Sequence, residues 1–185
     1  MHLKNTKDLI LSALFTALIA VGAFIKIPVP IVPFTLQFAF VLLAGLLLPK
    51  KFSLISVLTY IFMGLVGLPV FAEGGGISYI LRPSFGYIIG FAVAAYVIGF
   101  IIEKSATLHY KRLLTASFIG LFIVYLFGMI YYYLMSNFYL GTPIGLLPLF
   151  IYCFLLTVPG DIVLCIVGAS IAKRMIPIIK KGVTR

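Results

Sequence analysis

The run EGGGISYILRPSFGY, residues 73–87, lies between two apolar stretches of membrane length and carries more chemistry than a turn between helices needs. Gly74, Gly75 and Gly76 permit backbone conformations that other residues avoid. Arg82-Pro83-Ser84 follows, and a proline suits the first position of a helix. One acid, one arginine and two tyrosines accompany the glycines. A flexible hairpin is one reading of such a run. The charged and aromatic residues favour another, a binding loop that folds closely over a small ligand. In both readings the run separates two helices, and the architecture follows by counting helices outward from it.

Breaks between apolar runs fall near residues 26–34, 49–51, 68–82, 103–112 and 137–142. They leave six predicted helices, at residues 6–25, 33–49, 52–68, 83–103, 111–136 and 143–173. The chain is 63% hydrophobic with a mean hydropathy of +1.24 and only 10% charged residues, where soluble domains carry about 25%. The expected fold class is all-α: a polytopic membrane protein forming a single six-helix transmembrane domain over residues 1–185, with no soluble module. The basic and then apolar start has the look of a signal peptide. With five more spans behind it, the run at residues 9–25 reads better as an uncleaved first span.

A net charge of +10 could suggest nucleic acid, but its distribution points to a bilayer. With the N-terminus inside, Lys4, Lys7, Lys50, Lys51, Lys104, Lys111, Arg112, Lys173, Arg174, Lys180, Lys181 and Arg185 share the inner side. Only Lys26 and Arg82 lie outside, and twelve against two is a strong positive-inside signal. Both termini are therefore expected inside a cell membrane, with no nucleic-acid partner and the basic surface against anionic headgroups.

Polar residues are few enough to read one by one. On helix 1, Ala13 and Ala17 are four apart, as are Ser12, Thr16 and Ala20. Small residues at this spacing admit a close helix, within the bundle or from a partner. A stiff outer loop with Pro28, Pro30 and Pro33 follows. Phe34, Thr35 and Gln37 open helix 2, and Gln37, with donor and acceptor, either decorates the interface or points into a cavity. Tyr131, Tyr132 and Tyr133 cluster at the outer end of helix 5, where at least one is expected to be an interfacial belt residue; Asn137 follows them. Cys153 and Cys165 are twelve residues apart on one predicted helix, roughly 18 Å, which makes them packing residues rather than a bridge.

Asp161, in Pro159-Gly160-Asp161, is the acid with no escape to a surface. It lies on the order of 18 Å along the helix from both Pro148 and Lys173. A carboxylate at that depth is a functional candidate by default; the alternative is a structural acid bonded to hydroxyls such as Thr157. The three helices that run inward each open near a proline: Pro33, Pro83 and Pro143. Their N-termini carry partial positive charge, and Arg82 adds a full one. The outer face thus has the parts of a site for a small carboxylate, with aromatic walls and Asp161 or Asn137 deeper in.

Other chemistry is missing from the sequence. No G-x-x-x-x-G-K-[ST] run binds ATP phosphates. His2 and His109 sit at the inner edge, no His, Cys and acid cluster suits a metal, and no serine, histidine and acid share a depth. These observations argue against an enzyme. No inverted three-helix repeat is visible, which weakens the case for a self-contained secondary transporter.

Taken together, Val32-Pro33-Phe34-Thr35-Leu36-Gln37, Gly74-Gly75-Gly76 leading to Arg82-Pro83-Ser84-Phe85-Gly86-Tyr87, and Pro159-Gly160-Asp161 resemble the BioY family. These are the biotin-specific substrate-binding (S) components of energy-coupling-factor (ECF) transporters, and the resemblance extends over essentially the whole chain. It implies the S-component fold, capture of biotin from outside without a cofactor, and work with a transmembrane coupling protein and two ABC-type ATPases. It also implies that Ala13 and Ala17, matching the family's A-x-x-x-A motif, dock the coupling protein. The ligand-binding candidates are Phe34, Thr35, Gln37, Gly75, Gly76, Tyr79, Arg82, Ser84, Phe85, Tyr87, Asn137 and Asp161. Among them Asp161 and Asn137 are assigned to the urea of biotin and Arg82, with the start of helix 4, to its carboxylate. Phe34, Tyr79, Phe85 and Tyr87 are assigned to the apolar body, with residues 74–82 as lid. Family members often carry a lysine three residues beyond the aspartate; here Leu164 stands there, and Asp161 lacks that cation. A solitary biotin permease and a structural or assembly subunit are the alternative functions.

Overall fold

A computed structural model describes residues 2–27, 33–105 and 109–181, with side chains for 6–27, 33–105 and 109–179. Hydroxyls and glycines, rather than apolar faces, decide which helices touch, because in lipid an apolar face has no reason to prefer protein. Helix α1 (His2–Phe24) and helix α3 (Lys50–Leu65) are joined by two such hydroxyls. Ser12 donates to the Phe52 carbonyl at 3.1 Å and Thr16 to that of Ser56 at 2.9 Å. Both side chains are buried, while Ala13 and Ala17, on the neighbouring face, are exposed. The small residues of α1 therefore form two stripes, one turned into the bundle and one exposed.

Helix α2 (Gln37–Leu47) is short and turns into α3 through Leu48 and Pro49. The N-terminus of α3 is closed by Glu103, which accepts from the Lys50 amide at 2.8 Å and pairs with its ammonium at 3.2 Å. A carboxylate there meets free amides and the positive end of the helix dipole. Helix α4 (Phe85–Glu103) brings that acid into place and runs along helix α5 (Tyr110–Leu134) for much of its length. Ser53 ties α3 to α4 by donating to the Ala95 carbonyl at 3.0 Å.

After α5 the chain makes a π-turn at Met135–Tyr139, a short helix α6 (Leu146–Phe150), a second π-turn at Ile151–Leu155, and helix α7 (Val158–Lys181). The predicted sixth helix is thus a broken rod. Pro159 does not break it: it occupies the first turn of α7, where no backbone donor is lost. Among the described residues, four stretches are long and apolar enough to cross a membrane: Thr6–Phe24, Phe85–Glu103, Tyr110–Tyr139 and Leu146–Ile179. The apolar α2 and the more mixed α3, with 11 and 16 residues, are shorter.

The expected helix starts at Pro33 and Pro143 need correction. Phe34–Thr35 (β2) is extended and pairs antiparallel with Lys26–Ile27 (β1), so α2 begins only at Gln37. Pro28, Pro30 and Val32 lie outside the described residues. Pro143 sits in the loop before α6, and Pro148 takes its place inside the first turn. At Pro83 the expectation is close, since α4 begins two residues later.

The glycine run is a tied turn. Gly74 and Gly76 have φ of +114° and +104°, conformations that L side chains rarely adopt. The Gly76 amide donates to the Gly64 carbonyl at 2.7 Å, and Phe71 and Gly74 exchange two backbone bonds. Phe71 is buried over Gly64 and meets the rings of Tyr60 and Tyr79 at 5.3 and 4.5 Å. Ile77–Leu81 then forms a 3-10 helix that drives Tyr79 into the protein.

Candidate functional site

A cavity with roughly 640 Å³ of empty space, counting its open mouth, lies between the hairpin, α2, α4, α5 and the broken rod. Its apolar walls are Pro33, Phe34, Phe38, Ala72, Ile88, Phe91 and Val124. Its polar groups are Thr35, Gln37, Tyr79, Ser84, Tyr87, Tyr125, Cys153, Thr157 and Asp161. None of these lining residues is Lys, Arg or His, so Asp161 faces no cation there.

The inner end is built around Asp161, which is 7% exposed and lies in the first turn of α7. The dipole of α7 favours a carboxyl at this position. Tyr125 donates its hydroxyl proton toward Oδ2 at 2.5 Å, and Thr157 Oγ1 lies 2.8 Å from the same hydroxyl. Thr157 also reaches the Cys153 carbonyl at 3.2 Å, and Tyr87 donates to that carbonyl at 3.3 Å. Asp161 is thus bonded to a hydroxyl, as the alternative reading held, but the hydroxyl belongs to Tyr125 and Thr157 stands one step behind. The Tyr125 ring is fixed edge-on against Tyr87 at 5.9 Å and Phe154 at 5.3 Å.

Gly160 connects two of the sequence motifs. A Cβ there would lie 2.7 Å from the Phe34 ring, so glycine lets that ring rest on α7 beside Asp161. Gln37 is held at both ends of its amide. It donates to the Tyr60 hydroxyl at 2.5 Å and accepts from Thr35 at 3.1 Å, while Tyr60 donates to the Val70 carbonyl at 3.2 Å.

At the mouth, Glu73 and Arg82 form an ion pair at 2.5 Å with both side chains substantially exposed. They line an outer recess with Pro33, Pro83, Ser84 and Tyr132. Ser84 and Pro33 line both spaces, which places the two side by side. The Ser84 hydroxyl is enclosed without a hydrogen-bond partner among the described residues. Burial pushes the Tyr79 hydroxyl above the usual tyrosine range, so this wall of the cavity stays neutral.

Of the residues singled out from the sequence, Phe34, Thr35, Gln37, Tyr79, Ser84, Tyr87 and Asp161 meet around the cavity. Arg82 lies in the outer recess. Gly75 and Gly76 pack back on the end of α3, against Leu68 and Gly64. Phe85 is buried toward Tyr131, at 6.1 Å, in the α4–α5 contact. Asn137 does not line the cavity. Its amide donates to the carbonyls of Tyr133 and Ile144, at 3.0 and 3.2 Å, and so ties off the π-turn. Tyr131 donates to the Ile80 carbonyl at 2.5 Å and joins α5 to the 3-10 helix.

Tyr125 was missed, together with Phe38, Ile88, Phe91 and Val124. Its signal was available: a tyrosine well inside a long apolar helix has no water for its hydroxyl and needs a buried partner.

Comparison with known proteins is consistent with this geometry. Residues 1–181 match the BioY family. The chain is 45% identical over 179 residues to a probable biotin transporter BioY of Lysinibacillus sphaericus, covering 97% of this chain and 91% of that one. It is 38% identical over 175 residues to the biotin transporter BioY of Thermotoga maritima, covering 91% and 95%. Among solved structures, the S-component for biotin from an ECF-type ABC transporter matches with a TM-score of 0.80 at 31% identity, covering 95% of this chain and 93% of that chain.

Proposed function

Because the chain belongs to the BioY family, we propose that it is the biotin-capturing S component of an ECF-type uptake transporter in the cell membrane. The observation that carries this reading is the polarity of the cavity: an acid at the inner end, aromatic walls, and an arginine in the recess at the mouth. Biotin has the same order of groups, a urea with two N–H donors, an apolar bicyclic body and a carboxylate tail. Asp161 receives the urea, Phe34, Tyr79 and Tyr87 hold the body, and Arg82 with the start of α4 attracts the carboxylate. The positive end of α4 helps to hold the tail carboxylate at the mouth.

In this reading the six rods cross with both termini inside, which the twelve-to-two distribution of basic residues supports. Import is driven by a transmembrane coupling protein and two ABC-type ATPases. The exposed Ala13 and Ala17 offer that partner a close helix contact, and the inward pair Ser12 and Thr16 leaves them free for it.

Two experiments test the proposal. The purified chain is expected to carry biotin or to bind it in solution; a protein that never binds it is not an S component for this vitamin. Uptake is then measured in cells with and without coupling proteins. Loss of uptake without them supports the proposal, and full uptake replaces it by a solitary permease.

A further inference from the structure

The cavity presents an acid without presenting a cation. Asp161 is buried, and Leu164, one turn along α7, is an apolar residue packed on the core. Among the described residues no donor reaches Oδ1 of Asp161; Oδ2 is taken by Tyr125. Tyr125 has one proton, and the nearer of its two oxygen partners is the carboxyl, at 2.5 Å against 2.8 Å for Thr157. Thr157 can then direct its own proton to the tyrosine oxygen, while Tyr87 serves the Cys153 carbonyl. The groups form one hydrogen-bonded chain, Thr157 to Tyr125 to Oδ2. All three side chains are at least nine-tenths buried, at 6%, 3% and 7% exposure.

We propose that Tyr125 is the positioning residue of this site: its hydroxyl fixes Oδ2 and the carboxyl plane, and leaves Oδ1 as the acceptor offered to a ligand N–H. The inference rests on the reading of the cavity as the biotin site and assigns to Tyr125 the inner-end role that the sequence had shared out to Asn137. It also says how specificity arises. An acceptor held without a cation selects a neutral N–H donor and disfavours a second carboxylate, so the ligand enters ring first.

Tyr125→Phe keeps the ring contacts with Tyr87 and Phe154 and removes only the hydroxyl. Biotin affinity is measured by calorimetry on purified wild type, Tyr125→Phe, Asp161→Asn and the double variant. Tyr125→Phe is expected to lose roughly tenfold or more, as for a hydrogen bond to a charged group. In the Asp161→Asn background the same change is expected to cost less than about twofold, because groups acting through one another are not additive. A purely structural tyrosine would cost the same in both backgrounds, and that result overturns the proposal, as does unchanged affinity in Tyr125→Phe. Thr157→Val gives a reading that leaves the carboxyl in place: it must weaken binding, and adding Tyr125→Phe must cost less than it does alone. Full additivity of that pair also overturns the chain. Wild-type protein that fails to bind biotin defeats the functional reading itself and is distinguished from all these outcomes.

Discussion

The two ends of the cavity handle charge in opposite ways. At the inner end a buried carboxyl is met by hydroxyls, with no cation among the residues that line the space. At the mouth a carboxylate and a guanidinium meet directly, 41% and 49% exposed. The difference follows from solvent. Inside, separating an ion pair would strand a charge at a cost of several kcal/mol, about 3–5 by mutational experience. A neutral hydroxyl can exchange partners without that penalty. At the surface, water makes an ion pair worth about 1 kcal/mol or less, so either member is readily traded for a ligand group. The inner end is therefore suited to holding a ligand and the outer end to exchanging one.

The sharpest way to break this contrast is Asp161→Ala. Removing one partner of a charge-assisted bond is expected to cost biotin binding about 1.5–3 kcal/mol, roughly ten- to a hundredfold. Titration of the monodisperse, membrane-inserted variant measures it, and wild-type affinity would reduce Asp161 to a structural acid. Arg82→Ala comes next, with roughly a fivefold loss for biotin and little for an uncharged biotin amide. Equal losses for the two ligands would remove Arg82 from carboxylate recognition. Glu73→Gln should act in the other direction. It releases Arg82 from its partner, so biotin should bind about twofold to threefold more tightly, with the gain fading at high salt. A loss would mean that the pair shapes the mouth rather than competing with the ligand. Smallest in affinity is the double change Ala13→Trp with Ala17→Trp. It leaves both cavity ends alone, so binding should stay within twofold of wild type while energised uptake and co-purification with the coupling protein fail. An intact complex carrying both tryptophans would refute docking through this stripe.

The all-α class and the place of the long helices could be read from the chain because lipid demands long apolar runs and because charge gathers between them. The inner discontinuity could not be placed. Residues 151–157 read IYCFLLT, with neither glycine nor proline, and a π-turn leaves no compositional mark. Pro159, a few residues on, marks no break, because the first turn of α7 accommodates it without loss. Asp161 stands out in the sequence because depth alone makes a carboxyl costly, and it does lie buried on the cavity wall. Asn137 was over-read for the same reason, since depth says nothing about direction and its amide turns back to its own loop. Glu73 and Arg82 were both noticed, but nine residues of separation do not announce an ion pair. The glycine run was read as freedom to move, whereas its positive φ angles and its bond to Gly64 describe a tightly seated turn.

The π-turn at Ile151–Leu155 has a consequence for how this protein tolerates insertions and deletions. Each residue of an α-helix advances the chain by about 100°. A π-turn behaves as one surplus residue accommodated by widening the coil, so it offsets the phase of everything on either side by that angle. Deleting a single residue at 151–155 would let the rod close into a continuous α-helix, yet would swing Asp161 and Thr157 by roughly a quarter turn relative to Leu149 and Cys153. The membrane would still be crossed and the composition barely changed, but the acid would face away from Tyr125. One-residue length changes should therefore be tolerated in the loop at residues 140–145 and be ruinous ten residues further on.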